Sequence, residues 1–477
     1  MADQREHIDE VRQTDTAPDY AAAEKAVAEG DDVAVRYHES SENPQADQQT
    51  EQTEQTEQEE QPQQAKPRPQ AEQSSLFDTV KRMFGGDRVL WVIITVLMVI
   101  SLLVVYSSTA KMAYMPNSDS STTAFLRKQL FLLAGCVIVI FFGHRFNSSF
   151  YRAISKPFFW VALCATVATY IVGHKTNDAA RWIYIFGFQF QPSEMLKVGA
   201  IMYLARVLAE KQSVIRNIRI VPTLKFWRWG EPKQRRILRE GAMPILFPIL
   251  LSCAVIIPAH TSSALLVGAT SLVMLYIGRV KWADLFRIIG LGVVGLTLLS
   301  VLGLGRSETA ESRMDTWWKL WTEDRTEVLA KDLTDTERSM IAIHNGGVLG
   351  RGPGQSAVRV EMTHPESDYA FAFFVEEYGF ILSMILVALY VWVFFRAIEI
   401  FDKCPKKFPS MLSLGLAMMI TSQALLHIMV AVNISPETGQ TLPLISRGGS
   451  SLLFTAMSLA MILSVSRQTE EGSHTTD

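Results

Sequence analysis

The sequence is poor in cysteine, with four in 477 residues, and none sits at a metal-ligand spacing. Cys136, Cys164, Cys253 and Cys404 are scattered, which excludes a disulfide framework and leaves them as packing residues. It also lacks an excess of charge. A formal net charge of -3 leaves no basic footprint, and no nucleic-acid partner is expected. Its N-terminal region has no basic stretch followed by an apolar run, so no signal peptide is expected there. The glycine-dense stretch "IHNGGVLGRGPGQS" lacks the Gly-Lys-Ser/Thr ending of a phosphate-binding loop, which argues against nucleotide binding.

What is present divides into two parts. Residues 1–86 are polar and carry the Thr-Glu-Gln repeat "QQTEQTEQTEQEEQPQQ". Such a segment buries too little apolar surface to offset its chain entropy, and a disordered cytoplasmic tail is expected. Residues 87–468 are the reverse, a succession of apolar runs, with 469–477 as a short C-terminal tail. Crossing a bilayer takes roughly 20 apolar residues. Ten segments qualify with their flanks: about 89–109, 129–143, 158–173, 193–209, 243–258, 262–278, 284–304, 369–396, 409–434 and 449–467. The expected fold is an all-α integral membrane protein of ten transmembrane helices. A large extracytoplasmic loop, 305–368, is expected between the seventh and eighth.

Basic residues in short loops mark the cytoplasmic side. Arg145, Arg152 and Lys156 fall in one loop, and nine basic residues lie between Glu210 and Ala242. Arg279 and Lys281, then Arg396, Lys403, Lys406 and Lys407, occupy two more. With ten spans all four loops share one side, and both termini are cytoplasmic.

Ionisable side chains within spans are costly and by default mark function. "FQPSEMLK" places Pro192 in a first helical turn, Glu194 at the positive end of the helix dipole and Lys197 one turn on. The pair is either structural or functional. Arg181, in "NDAARWIYIFGFQF", has the forked donors that suit a phosphate. Asn345 and Arg351 lie among the glycines, where tight turns bring backbone to a ligand. In "THPESDYAFAFFVEEYG", Ser367 or Asp368 would cap the next helix. Glu376 and Glu377 are adjacent, so at least one must face the bundle. Arg447, ahead of a glycine pair and a helix start, completes a candidate anion site.

The motifs "RWI", "FQPSEMLK", "IAIHNGGVLGRGPGQS", "HPESDYAFAFFVEEYG" and "TLPLISRGGSSLL", in this order, resemble the shape, elongation, division and sporulation family, which includes FtsW and RodA. The resemblance covers about 86–467 and leaves out the tail. It implies peptidoglycan glycosyltransferase activity on lipid II in the cytoplasmic (inner) membrane. It also implies a class B penicillin-binding protein and other division proteins as partners. The family's catalytic acid falls on Asp368, its Pro-Ser-Glu motif and lysine on Pro192, Ser193, Glu194 and Lys197, and its C-terminal arginine on Arg447. One departure is "PAHTSSALL", where Ala259 and His260 replace the family's acidic stretch.

The expectation is therefore that Asp368 takes the proton of the acceptor hydroxyl, or else holds a divalent cation. No other cofactor is implied. Lys197, Glu194, Arg181, Arg447, Arg351, Asn345 and Glu377 make up the expected substrate site. The long tail and "VVYSSTA" favour a division role at the septum over an elongation role. A lipid II flippase is the reading from another class, and a non-catalytic scaffold recruiting the cross-linking enzyme is a third.

Overall fold

The computed structural model describes residues 84–108, 122–172, 174–176, 179–185, 188–217, 220–222, 229–301, 307–323, 333–357, 362 and 367–473. The polar tail up to residue 83, and His364 and Pro365, lie outside them.

Twelve helices carry the chain among the described residues: α1 (Arg88–Ser108), α2 (Thr122–Gly143), α3 (Ser148–Val172), α4 (Pro192–Asn217), α5 (Pro232–Ile256), α6 (Thr261–Ile277), α7 (Trp282–Val301), α8 (Ser307–Thr322), α9 (Asp335–Gly346), α10 (Ala370–Lys403), α11 (Lys407–Ala431) and α12 (Gly449–Ser473). Each of the ten apolar segments lies on one of these helices. Seven are long and apolar enough to cross a membrane: α1, α2, α3, α5, α10, α11 and α12. The α4 helix carries Glu194, Lys197 and Arg206 within its first four turns, and α6 has only 17 residues. Large side chains such as Phe131, Ile171, Val294 and Phe395 stand more than half exposed on the outside of the bundle. Water would penalise that surface and lipid would not, so this is a membrane protein.

Two expectations change. The fold is not wholly helical: residues 174–190 form a small antiparallel sheet in the order β1 (His174–Thr176), β2 (Ala179–Ile185), β3 (Phe188–Phe190). Aromatic and β-branched residues dominate "RWIYIFGFQF", and they fit a pleated surface better than a helix. The 305–368 segment is not simply a loop, since it holds α8 and α9. Thr334 and Glu337 bond reciprocally at the start of α9, a capping box.

The most enclosed helices are α11 and α12, with 72% and 78% of their most apolar windows buried, against 22% for α2. They form the axis around which α4, α6 and α10 pack. Antiparallel pairing sorts the two ends. At one end Arg396 meets Asp87 at 2.6 Å, Arg152 meets Glu210 at 3.2 Å, and Arg467 donates to the carbonyls of His144 and Arg145. The basic segments gather there. At the other end the tail of α1 reaches the head of α10 through Ser107 and Glu377.

The α10 helix is broken. Gly379 has φ 79° and ψ 177°, which separates a short apolar helix from a long one. A break frees backbone groups that lipid cannot satisfy. The glycine loop after α9 satisfies them. The amides of Arg351 and Gly352 donate to the carbonyls of Glu376 and Glu377, each at 2.9 Å. The amides of Phe380 and Ile381 donate to Gly347 and Val348. Gly350 and Gly379 meet so closely that a Cβ on either would strike the other segment's backbone. Replacing either by alanine is expected to destabilise the protein by roughly 3 kcal/mol or more. Thermal unfolding of the detergent-solubilised variants checks this, and a surface glycine such as Gly230 provides the control.

Candidate active site

Asp368 stands half-buried in the turn that enters α10. It does not cap the helix, and neither does Ser367: the N-cap is Tyr369, and no side chain bonds there. The Phe371 amide is instead taken by Nε2 of His427 on α11, at 3.4 Å. The Nδ1–H of His427 donates to the Gln440 carbonyl at 2.7 Å, and that bond leaves Nε2 free to accept. Behind Asp368, the Ser446 hydroxyl donates to the Ser367 carbonyl and accepts the Leu442 amide, both at 2.8 Å. Asp368 is thus aimed by partners that hold its neighbours and leave its carboxylate to the Ser367 hydroxyl at 3.1 Å.

Gln440, Leu442 and Ser446 belong to the loop between α11 and α12, which is tied down at several points. Tyr390 donates to the Pro443 carbonyl at 2.6 Å and Ser101 to that of Ile445 at 3.1 Å. Between them Leu444 adopts φ 62°, a left-handed conformation that costs a branched residue roughly 1–2 kcal/mol. Strain of this kind persists where the surroundings over-determine the backbone. The side-chain amide of Gln440 donates to Ser262 and Ser263 at the head of α6, at 3.0 and 2.8 Å.

The same loop joins Asp368 to the start of α4. Lys197, 1% exposed, pairs with Glu194 at 2.8 Å and donates to Gln423 at 3.1 Å. Gln423 donates to the Thr441 carbonyl at 2.9 Å, and Thr441 shares a 2.7 Å hydrogen bond with Ser451 on α12. Ser450 accepts the Gln191 amide and donates to the Gln189 carbonyl, which fixes β3 and the head of α4 against the head of α12. Arg447 is half-buried just before that helix. Arg181 lies on β2, whose partner β3 touches α12.

Both Glu376 and Glu377 are buried, at 0% and 1% exposure. Glu376 accepts from Ser356 and from the Ala357 amide, with Arg351 at 3.7 Å. Glu377 accepts from Ser107 at 2.5 Å and from the Gly354 amide at 2.9 Å. Asn345 is half-buried in the last turn of α9. These carboxylates pin the glycine loop across the break in α10.

Sequence reasoning passed over His427, Gln423, Gln440 and Glu437. A signal existed for the first two. They lie four apart on one face of an otherwise apolar run, and buried polar groups in a span call for partners. Glu437 pairs loosely with Arg313 of α8, at 4.0 Å. Burial raises its carboxyl above the usual range, Arg313 pulls it partly back, and the charges of Asp368 and Asp335 add to the rise. No group of three or more His, Cys, Asp or Glu side chains able to hold a metal occurs among the described residues.

Burial lowers His260 to about 4, and the charges of Lys197 and Arg313 push the same way. An unfolded histidine titrates near 6.5, so the unfolded chain binds this proton first as pH falls. The stability that neutral His260 provides is fully present above about pH 6.5 and is lost toward pH 4, at up to roughly 1.4 kcal/mol per unit. Melting temperature should therefore drop across that window, and His260→Gln should flatten the drop.

The FtsW/RodA/SpoVE family model, described as "Cell cycle protein", matches residues 87–471. Stage V sporulation protein E of Bacillus subtilis is 30% identical over 388 residues, which is 80% of this chain and 97% of that protein. The "Probable peptidoglycan glycosyltransferase FtsW" of the same organism is 27% identical over 370 residues, 76% of this chain and 86% of that one. Among solved structures, a chain of a peptidoglycan synthase complex that coordinates polymerization and crosslinking has the same fold. Its TM-score is 0.57 at 20% identity, over 80% of this chain and 98% of that one. This helical bundle, with its polar network at one end and the family match running along nearly the whole of its apolar part, belongs to the FtsW/RodA/SpoVE family of cell cycle proteins.

Proposed function

We propose that the protein is a peptidoglycan glycosyltransferase that polymerises lipid II at the outer face of the cytoplasmic membrane, with Asp368 as general base. The observation that carries this reading is the buried hydrogen-bond network that ties the turn bearing Asp368 to the Lys197–Glu194 pair through the α11–α12 loop. It occurs in a family with members named peptidoglycan glycosyltransferases. The end of the bundle opposite the basic segments is then the outer one, both termini are cytoplasmic, and all ten helical segments cross the membrane.

The reaction is a single displacement. The acceptor's 4-hydroxyl gives its proton to the Asp368 carboxylate as its oxygen bonds to the donor's anomeric carbon. The bond from that carbon to the diphosphate breaks, and its electron pair leaves with undecaprenyl diphosphate. Inversion gives a β-linked strand. The departing charge needs cations placed in advance. Arg447, just before α12, and Arg181, on β2, are the residues proposed to supply them. Lys197, already held by Glu194 and Gln423, is the buried charge behind them. Arg351 and Glu377 act by holding the glycine loop, and Asn345 is kept as a candidate substrate contact in the last turn of α9. A class B penicillin-binding protein is the cross-linking partner, in line with the synthase complex from which a chain of this fold comes. Within the family the division role, at the septum, is preferred to the RodA-like elongation role. A tagged copy at midcell supports that choice, and a dispersed side-wall signal reverses it.

Asp368→Asn should slow polymerisation of labelled lipid II by a factor of roughly 10² to 10⁴. Because Asp368 caps nothing, melting temperature should not move. Near-normal polymerisation by this variant would remove Asp368 from its role, and lipid II translocation without polymerisation would favour the flippase reading. His427 does not touch substrate and is a positioning residue. His427→Ala should lower kcat by about tenfold or more, with KM little changed, because a displaced base costs rate and not binding. A rise in KM alone would rule that role out.

A further inference from the structure

The turn between α6 and α7, Gly278 to Lys281, carries two cations that no protein group answers. Gly278 is there for packing: a Cβ on it would meet Leu208 of α4 at 2.9 Å and the Met274 carbonyl at 3.1 Å. Leu208 lies two residues before Glu210, so the turn sits at the end of the bundle where the basic segments gather. The left-handed position that closes α6 falls on the next residue, Arg279, at φ 64°. Glycine usually fills such a position, and an arginine there is strained. The turn is nevertheless held firmly. The amides of Gly278, Arg279 and Val280 donate to the carbonyls of Met274, Tyr276 and Leu275 at 2.8, 2.9 and 3.0 Å. Gly278 and Val280 are buried while Arg279 and Lys281 are exposed, which puts both cations on the outer side. Their side chains make no ion pair or hydrogen bond among the described residues. The carboxylate of Asp284 is committed elsewhere: it is buried and accepts the Ile220 amide at 2.8 Å and Arg287 at 3.1 Å. Two uncompensated cations on a strained, fixed backbone point to an anion.

The neighbours of the two cations set the anion's chemistry. Three exposed rings stand beside them: the Trp282 ring lies 4.9 Å from that of Tyr276 and 6.3 Å from that of Phe286. The Tyr276 hydroxyl and the Trp282 indole N–H also have no hydrogen-bond partner among the described residues. Apolar surface continues from the rings through exposed Val273 on α6 and exposed Ile289 and Val293 on α7. Trp282, Phe286, Ile289 and Val293 share one face of α7 at helical spacing. Cations, then rings with polar edges, then an aliphatic face thus follow one another along the bundle. A soluble anion or an acidic protein segment would meet only the first of these. A glycerophospholipid meets all three, with its phosphate, its ester carbonyls and its acyl chains. The length of α6 fits as well. Its 17 residues span roughly 26 Å, less than the roughly 30 Å hydrocarbon core, so the cations that flank it stay near the phosphates.

We propose that the α6–α7 turn binds one anionic phospholipid of the surrounding leaflet, its phosphate between Arg279 and Lys281 and its glycerol esters against Tyr276 and Trp282. A zwitterionic headgroup carries its own cation beside the phosphate and gains less from two basic side chains, so the site selects for net negative charge. The bound lipid pins the foot of α6, whose head holds Gln440 through Ser262 and Ser263. The site requires α6 to cross the membrane, as read above, and is independent of the role given to Asp368.

The test uses the full-length protein in phosphatidylcholine nanodiscs, with phosphatidylglycerol brominated on its acyl chains added in rising proportion. Bromine quenches tryptophan on contact, and the Trp282 signal is the difference between each protein and its Trp282→Phe counterpart. Half-quenching should come at an about tenfold lower mole fraction of brominated phosphatidylglycerol than of brominated phosphatidylcholine. Arg279→Gly combined with Lys281→Gln should bring the two lipids to the same midpoint. The melting temperature of that variant in phosphatidylcholine alone should not fall, because glycine suits the left-handed position. Lys233→Gln combined with Arg235→Gln, which removes two exposed cations outside this turn, should keep the preference. Excess inorganic phosphate should leave the quenching unchanged. Equal midpoints in the wild type, or a preference that survives the Arg279 and Lys281 changes, overturns the proposal. So does its loss in the Lys233 and Arg235 variant, which would mean a diffuse surface attraction, and so does displacement by inorganic phosphate. None of these readouts is polymerisation, so the two readings fail separately.

Discussion

Inside an apolar bundle, a backbone group that leaves its helix must find another partner, and the break in α10 at Gly379 is where this chain meets that demand. Four backbone hydrogen bonds cross from the glycine loop to the two halves of the helix. Two buried glutamates then fasten the rest of the loop through Ser356, Ala357, Ser107 and Gly354. The arrangement costs two desolvated carboxylates, each compensated by hydroxyl or amide donors. Its product is a short helix, Ala370 to Tyr378, set at its own angle, with Asp368 at its head. An unbroken α10 would leave that turn to follow the axis of a long membrane helix.

The same logic organises the α11–α12 loop. It is irregular backbone among buried helices, and its carbonyls are met by side chains sent from α1, α6, α10 and α11. Irregular backbone at such depth survives only where protein or a cavity satisfies it. A loop held at so many points is rigid, and Leu444 stays in a strained conformation because of it. Rigidity suits a reaction in which developing charge is met by groups already in place. The charged groups are segregated as well. Lys197 and Glu194 are buried as a pair on one side of the loop, while Asp335, Glu437 and Asp368 influence one another on the other side.

Much of this was legible in the chain. The ten apolar segments and the start of α4 at Pro192 follow from hydropathy and helix-start chemistry, and so does the Glu194–Lys197 pair one turn apart. That Glu376 and Glu377 cannot both face lipid also follows from their adjacency. The residues that hold the site were not legible. His427 and Gln440 are far from Asp368 in sequence, and the His427 bond to Phe371 spans 56 positions. Periodicity carries no information about which residue a buried imidazole will meet. The capping role expected for Ser367 or Asp368 failed for that reason: the nearby helix amide went to a side chain from another helix.

By itself the sequence determined that the chain is a multi-helix membrane protein with a polar tail, and it determined which few ionisable groups lie within apolar runs. Those properties depend on local composition and on the cost of burying charge, which act residue by residue. Only the tertiary structure decided which of those groups meet. It joined the glycine loop to a broken helix and gave Asp368 its orientation through His427 and Ser446. Such pairings come from how helices distant along the chain settle against one another, and no short window of residues encodes them.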